Sequence, residues 1–202
     1  MPVTTPADLR ALYGAVNDRA RDKMIDHLDR HCRAFIANSP FMLLATSDGT
    51  KLDVSPKGDP AGAVIVEDDG KHFLLADRPG NNRIDGLLNI VANPQVSALF
   101  LIPGVRETLR VTGTAVIHDE PEWLDRCLVK GRRPITVTRI RVQQAGLHCA
   151  KAFVRSGLWE PSSWPQSRPI ATMGEMLVDH VGRADAYESV EDQERRQADA
   201  LY

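Results

Sequence analysis

Cysteine is scarce: Cys32, Cys127 and Cys149 are the only three in 202 residues, and neither their number nor their separation fits a disulfide framework or a zinc spacing. Reduced thiols, and with them a cytoplasmic setting, are the expectation. Neither sign of charge is in excess, the formal net charge being -2, so nothing draws the whole chain to nucleic acid or to an anionic membrane. Long apolar runs are missing too, which excludes a membrane span, and the start "MPVTTPADLR" lacks the charged-then-apolar order of a secretion signal. There is no P-loop, no nucleophile elbow and no Gly-x-Gly-x-x-Gly after a strand. Phosphoryl transfer, serine hydrolysis and Rossmann-type dinucleotide binding therefore lack support.

What remains is an ordinary globular composition, 43% hydrophobic, at a length that suits one core with a helical appendage. Thr5-Pro6 followed by Asp8 reads as a helix start, with a hydroxyl cap, proline at the first position and an acid facing the helix dipole. Met24, Leu28, Cys32 and Phe35 recur at helical intervals and predict a second helix over about residues 18 to 36. The period then changes. "FMLLAT" (41–46), "AVIVE" (63–67), "HFLLA" (72–76) and "VSALFLI" (96–102) are short runs of strand formers separated by turn signals. "LRVTGTAVIH" alternates, with Leu109, Val111, Gly113, Ala115 and Ile117 on one face, and "ITVTRIRV" (135–142) reads the same way. Only two short helices interrupt these segments, at about 83–91 and after Pro121, which is too few for repeated strand-helix-strand crossovers. The fold expected is mainly β (α+β): an antiparallel barrel of about six strands with N-terminal and accessory helices. The charged tail from Ala184 reads as a solvated helix or partial disorder, with no chemistry assigned.

The stretch "DRPGNNRIDGLLNIVANP" (77–94) concentrates hydrogen-bonding groups before a helical pattern of Ile84, Leu87, Leu88 and Val91. Asn82 falls at the expected cap, with Asp85 three residues on as in a capping box. A first helical turn offers unpaired N–H groups and a dipole that favours anions. Arg78 and Arg83 flank that point with guanidinium groups suited to phosphate oxygens. Lys57, followed by Gly58 at the end of a strand in "DVSPKGDPAG", reaches the same anion if the two segments are neighbours in the sheet. The alternative is that Asn82 only caps its helix and the cations are solvated. His27, His31 and Cys32 have a superficial metal spacing, but no Glu follows His27 to make the hydrolase motif, and no metal is expected.

Taken in order, "SPKG" (55–58), "HFLLADRPGNNR" (72–83), "NPQVSALF" (93–100) and "LRVTG" (109–113) resemble the FMN-binding split-barrel flavoproteins related to pyridoxamine 5′-phosphate oxidase. The resemblance covers about residues 36 to 160 and implies a homodimer that binds FMN at its interface and transfers hydride through the flavin. It implies that Lys57, Asn81, Asn82 and Arg83 hold the FMN phosphate with Arg78 beside them. Asp53, Val54, Ser55 and Pro56 then lie along the ring, with Ala76, Thr108 and Arg110 near the flavin. "GLHCAKAFVRSGLWEP" resembles the arm of a bacterial subgroup of unassigned substrate, making Cys149, Lys151, Arg155 and Ser156 candidates for contacts to the partner's FMN. Trp159 is expected to pack the interface. Beyond this arm the chain departs from the segment by which the true oxidases grip their substrate phosphate, so vitamin B6 oxidation is not implied. The resulting organisation is a single domain: N-terminal helices over 1–37, the FMN-binding split barrel over 38–160, and a helical, charged extension over 161–202. A flavin- or haem-binding sensor without fast turnover and a deazaflavin-dependent reductase stay open as alternatives.

Overall fold

In the computed structural model the described residues are 2–200. Seven strands form one antiparallel sheet: β1 (Phe41–Ser47), β2 (Leu52–Gly58), β3 (Ile65–Val66), β4 (His72–Asp77), β5 (Gln95–Leu101), β6 (Thr108–His118) and β7 (Thr136–His148). Their order is β2-β1-β5-β6-β7-β4-β3. The architecture is the expected split barrel with one strand more than the approximate six. Its hydrogen-bonded ladder is not closed, so β2 and β3 are left as edges. Pro56, which has no N–H to donate, sits in edge strand β2, where that loss costs least.

Alternation sets the inner face. Met42, Leu44 and Thr46 of β1, Val96, Ala98 and Phe100 of β5, and Leu109, Val111 and Ala115 of β6 are buried on one side. They meet Phe73, Ile140, Val142, Leu28 and the helix residues Cys32 and Ile36 in one core. Phe73 and Phe100 pack edge to face, 5.8 Å between centroids. The run "HFLLA" does not alternate because β4 is covered twice: Phe73 and Leu75 face the main core, while Leu74 and Ala76 pack with Cys127 and Val137 beneath Trp123 and Leu124. The latter two residues belong to the helix Pro121–Arg126, which follows proline as expected.

The N-terminal helix α1 (Pro6–Tyr13) begins as read, with the Thr5 hydroxyl accepting from the Asp8 N–H. The single helix expected over 18–36 is corrected. It is split into α2 (Asp18–Asp22) and α3 (Arg30–Ala37). Between them Ile25 exchanges two backbone hydrogen bonds with Ala145 of β7, at 2.9 and 2.7 Å, and the Leu28 N–H donates to Gly70 O at 2.7 Å. Sheet pairing thus outcompetes the helical spacing, and Asp29 starts α3 afresh by accepting from the N–H groups of His31 and Cys32. α4 (Asp85–Ala92) lies against β1, β2 and β6. After β7 come a second short helix (Lys151–Ser156), α7 (Met173–Val181) and α8 (Val190–Ala200), numbering the Pro121–Arg126 and Lys151–Ser156 helices α5 and α6. The tail is helical.

Gly113 lies at the β6–β7 register shift, and a Cβ there would overlap the Arg141 carbonyl oxygen across the ladder. At Gly146 a Cβ would meet only the flexible end of the Met24 side chain. In urea denaturation, Gly113→Ala is expected to lower stability by more than about 3 kcal/mol, Gly146→Ala by about 1 to 2 kcal/mol. Equal losses would mean that the backbone contact yields as readily as a thioether.

Candidate functional site

Residues facing the same side as the buried positions of β1 carry the polar groups of β2. Asp53, Ser55 and Lys57 pair in register with Thr46, Leu44 and Met42 and so share their inner face, while Leu52, Val54 and Pro56 point outward. α4 covers this row. Gly86 permits the approach, since a Cβ there would stand 3.3 Å from Asp53 Oδ2 and 3.5 Å from Thr46 Oγ1. Asn89 donates to the buried Thr46 hydroxyl at 3.2 Å, and Ser55 donates to Asp53 at 2.7 Å.

Two ion pairs tie the end of β2 to the end of β4. Lys57 Nζ lies 2.8 Å from Asp77 Oδ1, and Arg78 Nε lies 2.7 Å from Asp59 Oδ2. In sequence Lys57 is nearer Asp59, and Arg78 is adjacent to Asp77; the partners are crossed between the two segments. Arg78 and Asp59 are 12% and 17% exposed, too enclosed to be a casual surface contact, and Arg78 also donates to the Cys127 carbonyl at 3.4 Å. Cavities lie on both sides of the Lys57–Asp77 pair. A cleft of about 40 Å³ is lined by Asp53, Ser55, Lys57, Asp77, Arg83 and Gly86 among others. A larger cavity of about 530 Å³ has Met42, Leu75 and Phe100 in its walls, Pro56, Lys57, Ala76, Arg78 and Asn81 around it, and Arg196 and Gln197 from α8.

The turn before α4 differs from the reading of its sequence. Asn82 does not cap the helix: its φ is 59°, the left-handed region that asparagine tolerates, and the cap position falls at Ile84 with no side-chain hydrogen bond. Asn81 instead accepts from the Arg83 N–H at 3.0 Å. Asp85 does not close a capping box either. It accepts from Arg83 Nε at 3.0 Å and Nη2 at 2.7 Å.

Lys57 and Arg83 are therefore brought to one cleft, with Asp53 and Ser55, while Ala76, Arg78, Asn81 and Pro56 border the adjoining cavity. Val54 faces outward at 60% exposure, and Asn82 lines neither space. Thr108 and Arg110 are not brought to Lys57. Lys57, Met42, Phe100 and Leu109 make one inner row across four strands, about 14 Å at the usual strand spacing, and Thr108 and Arg110 flank Leu109 on the opposite face. The Arg110 Nε is buried without a hydrogen-bond partner. Burial, with Arg110 and Lys23 nearby, pushes the His148 imidazole below its ordinary value. Cys149 is exposed, as are Lys151, Arg155 and Ser156 on α6, and none lines either cavity. Trp159 stacks on Phe153 and donates to Val105 O at 2.9 Å, so it packs within its own chain.

Asp59, Asp77 and the residues of α8 were not singled out from sequence, and Asp85 was read only as a capping-box acid. The aspartates had a signal, since each candidate cation has one within two residues; Arg196 had none. Among the described residues, Glu67, Asp69 and His72 are the cluster with a metal-like spacing, but Glu67 is already held by Arg126 and Arg139.

A family model described as pyridoxamine 5′-phosphate oxidase matches residues 28–149, more than half of the chain. The protein belongs to this family. No curated protein matches it. Among solved structures, a HupZ variant of Group A Streptococcus is 22% identical with a TM-score of 0.48, covering 60% of this chain and 99% of that one. General Stress Protein 26 of Bacillus anthracis is 16% identical with a TM-score of 0.40, over 57% and 88%. Atu2129 of Agrobacterium tumefaciens, of unknown function, is 18% identical with a TM-score of 0.41, over 73% and 61%. Likeness at this level carries no argument about ligand or chemistry.

The crossed pairs give a stability test. Asp59→Ala takes the carboxylate from an enclosed guanidinium and is expected to cost about 2 to 3 kcal/mol in urea denaturation. Asp85→Asn, at the exposed pair, is expected to leave the denaturation midpoint essentially unchanged. A small effect of Asp59→Ala would show that the two segments are held by packing alone.

Proposed function

We propose that this protein is an FMN-dependent oxidoreductase whose flavin phosphate is held at the Lys57–Arg83 cleft and whose site is completed by a second copy of the chain. The observation that carries this reading is the convergence of Lys57 and Arg83, 26 positions apart in sequence, on one cleft beside an outward-facing edge strand. The donor set fits a phosphate ester. A lysine and an arginine offer charge-assisted donors, and the Ser55 hydroxyl beside them offers a neutral one. Each cation carries an acid, so phosphate must take over from a carboxylate. Arg83 is the readiest to exchange, its side chain being 79% exposed and that of Asp85 50%. Arg78 stays with Asp59 and holds the loop in place.

FMN, when bound, supplies two-electron chemistry, and the chain supplies position, electrostatics and shelter from water. β2 offers the backbone of Asp53 to Pro56 along its free edge. Thr108, Arg110, Cys149, Lys151, Arg155 and Ser156 act on the flavin of the partner copy: in their own chain Thr108 and Arg110 face away from the Lys57 row, and the other four are exposed and line neither cavity. A homodimer is thus part of the reading. A haem in place of flavin has less support: among the described residues no histidine or cysteine lines either cavity.

An absorbance spectrum of the purified protein with FMN tests the assignment, and anaerobic NADH or NADPH then separates a reductase from a flavin carrier. Arg83→Ala is expected to weaken FMN binding about 10- to 100-fold, the scale of a lost charge-assisted contact; unchanged affinity would remove Arg83 from the site. FMN should raise the melting temperature and shift sedimentation toward the dimer by mass action. Tight FMN binding by a monomer would contradict the shared site.

A further inference from the structure

The C-terminal extension is built to a defined geometry. Thr172 and Glu175 form a reciprocal capping box at the start of α7. Gly174 lets the backbone at Glu188 approach so closely that a Cβ would overlap its carbonyl oxygen. Ser189 then caps α8, accepting from the Asp192 N–H at 3.1 Å. From this anchor Glu188 takes Arg196 in a two-point fork, from Nε and Nη2 at 2.8 Å each, leaving Nη1 for another acceptor. Arg196 and Gln197 stand in the wall of the 530 Å³ cavity.

The charges around that cavity are unequal in their availability. Lys57 and Arg78 face it with Asp77 and Asp59, and all four groups belong to its lining. Glu188, the partner of Arg196, does not. An anionic group entering the cavity meets Arg196 without displacing an acid of the cavity wall. Among the apolar residues of its wall, Phe41 and Val64 keep exposed surface, while Met42, Leu75 and Phe100 lie behind it at no more than 8% exposure.

We propose that α8 is a lid on this cavity and that Arg196 is a specificity residue, which receives the oxyanion head of a small substrate whose apolar body lies against Phe41 and Val64. The substrate class rests on the oxidoreductase reading, but the binding it requires can be measured on cofactor-free protein. Ala63, in the cavity wall, is changed to Cys in a Cys149→Ser background; Cys32 and Cys127 are buried and silent. The rate of thiol labelling is then read with benzoate, phenyl phosphate or neutral benzamide, as a ratio to the rate without ligand. An anion at roughly ten times its dissociation constant should slow labelling about tenfold by occupancy. Benzamide should not match it, and Arg196→Gln should abolish the difference. Protection by benzoate alone identifies a carboxylate head, and by phenyl phosphate alone a phosphate ester. Equal protection by benzamide, anion protection that survives Arg196→Gln, or no protection by either anion overturns the proposal. FMN is titrated into the wild-type sample separately. Failure of that titration removes the flavin and leaves the labelling result standing.

Discussion

The exchange of partners between Lys57-Gly58-Asp59 and Asp77-Arg78 is the constraint on which the rest of the site depends. An open sheet has nothing in its hydrogen-bond ladder to hold β2 beside β4, which lie near opposite edges. Had each cation paired with the acid nearest in sequence, both contacts would have been local and the segments free to separate. Crossing makes both pairs long-range. At about 4 Å and an effective dielectric near 20, each gross attraction is about 4 kcal/mol, from which desolvation takes a large part. The enclosed Arg78–Asp59 pair does the holding, and the Lys57–Asp77 pair stands as the partition between cleft and cavity.

That partition makes the site almost neutral, and neutrality has a chemical consequence. A cradle of unopposed cations would bind any phosphate, including inorganic phosphate, and would repel itself when empty. Here the proposed phosphate ester would have to outcompete carboxylates, and its greater charge, about -1.5 to -2 near neutral pH against -1, is what would let it do so. For the proposed flavin, selectivity would then come from what is attached to the phosphate: a planar ring along β2 would contribute contacts that a free ion lacks. The exposed Arg83–Asp85 pair is the natural point of exchange, because solvent already screens it and replaces either partner at little cost.

Much of this was legible in the sequence where one local rule governed. β6 alternates because one face is buried, and the unbroken run of β4 marks a strand buried on both. The order of the basic motifs placed Lys57 and Arg83 on one cleft. Legibility failed where two local rules competed or where the partner was remote. Asn82 satisfied the cap pattern yet took a left-handed turn, and the helical spacing of Met24 and Leu28 lost to the edge of β7 at Ala145, 120 residues beyond Ile25. No local rule connects Arg196 to Met42. The cleft was readable, but the crossed roles of Asp59 and Asp77 and the helix that covers its neighbour were not, since their meaning lies in pairings between remote segments.

The two faces of that sheet have different fates. On the inner face, Met42, Phe100 and Leu109 are buried by the chain itself. On the outer face and free edge, Leu52 and Val54 are 84% and 60% exposed and Phe41 is 40% exposed, an apolar surface beside unpaired backbone groups. Such an edge is an aggregation hazard unless something covers it. Thr108 and Arg110, two of the residues that resemble a partner's flavin contacts, lie on the outer face of β6, and a buried guanidinium nitrogen of Arg110 finds no acceptor among the described residues. One arrangement answers both needs. In the proposed dimer, a second copy laid over the outer face would bury the apolar edge, and a flavin between the copies would offer Arg110 the hydrogen-bond acceptors it lacks. Under the proposed function, the same sheet would give one face to folding and the other to assembly, with the cofactor at the junction between copies.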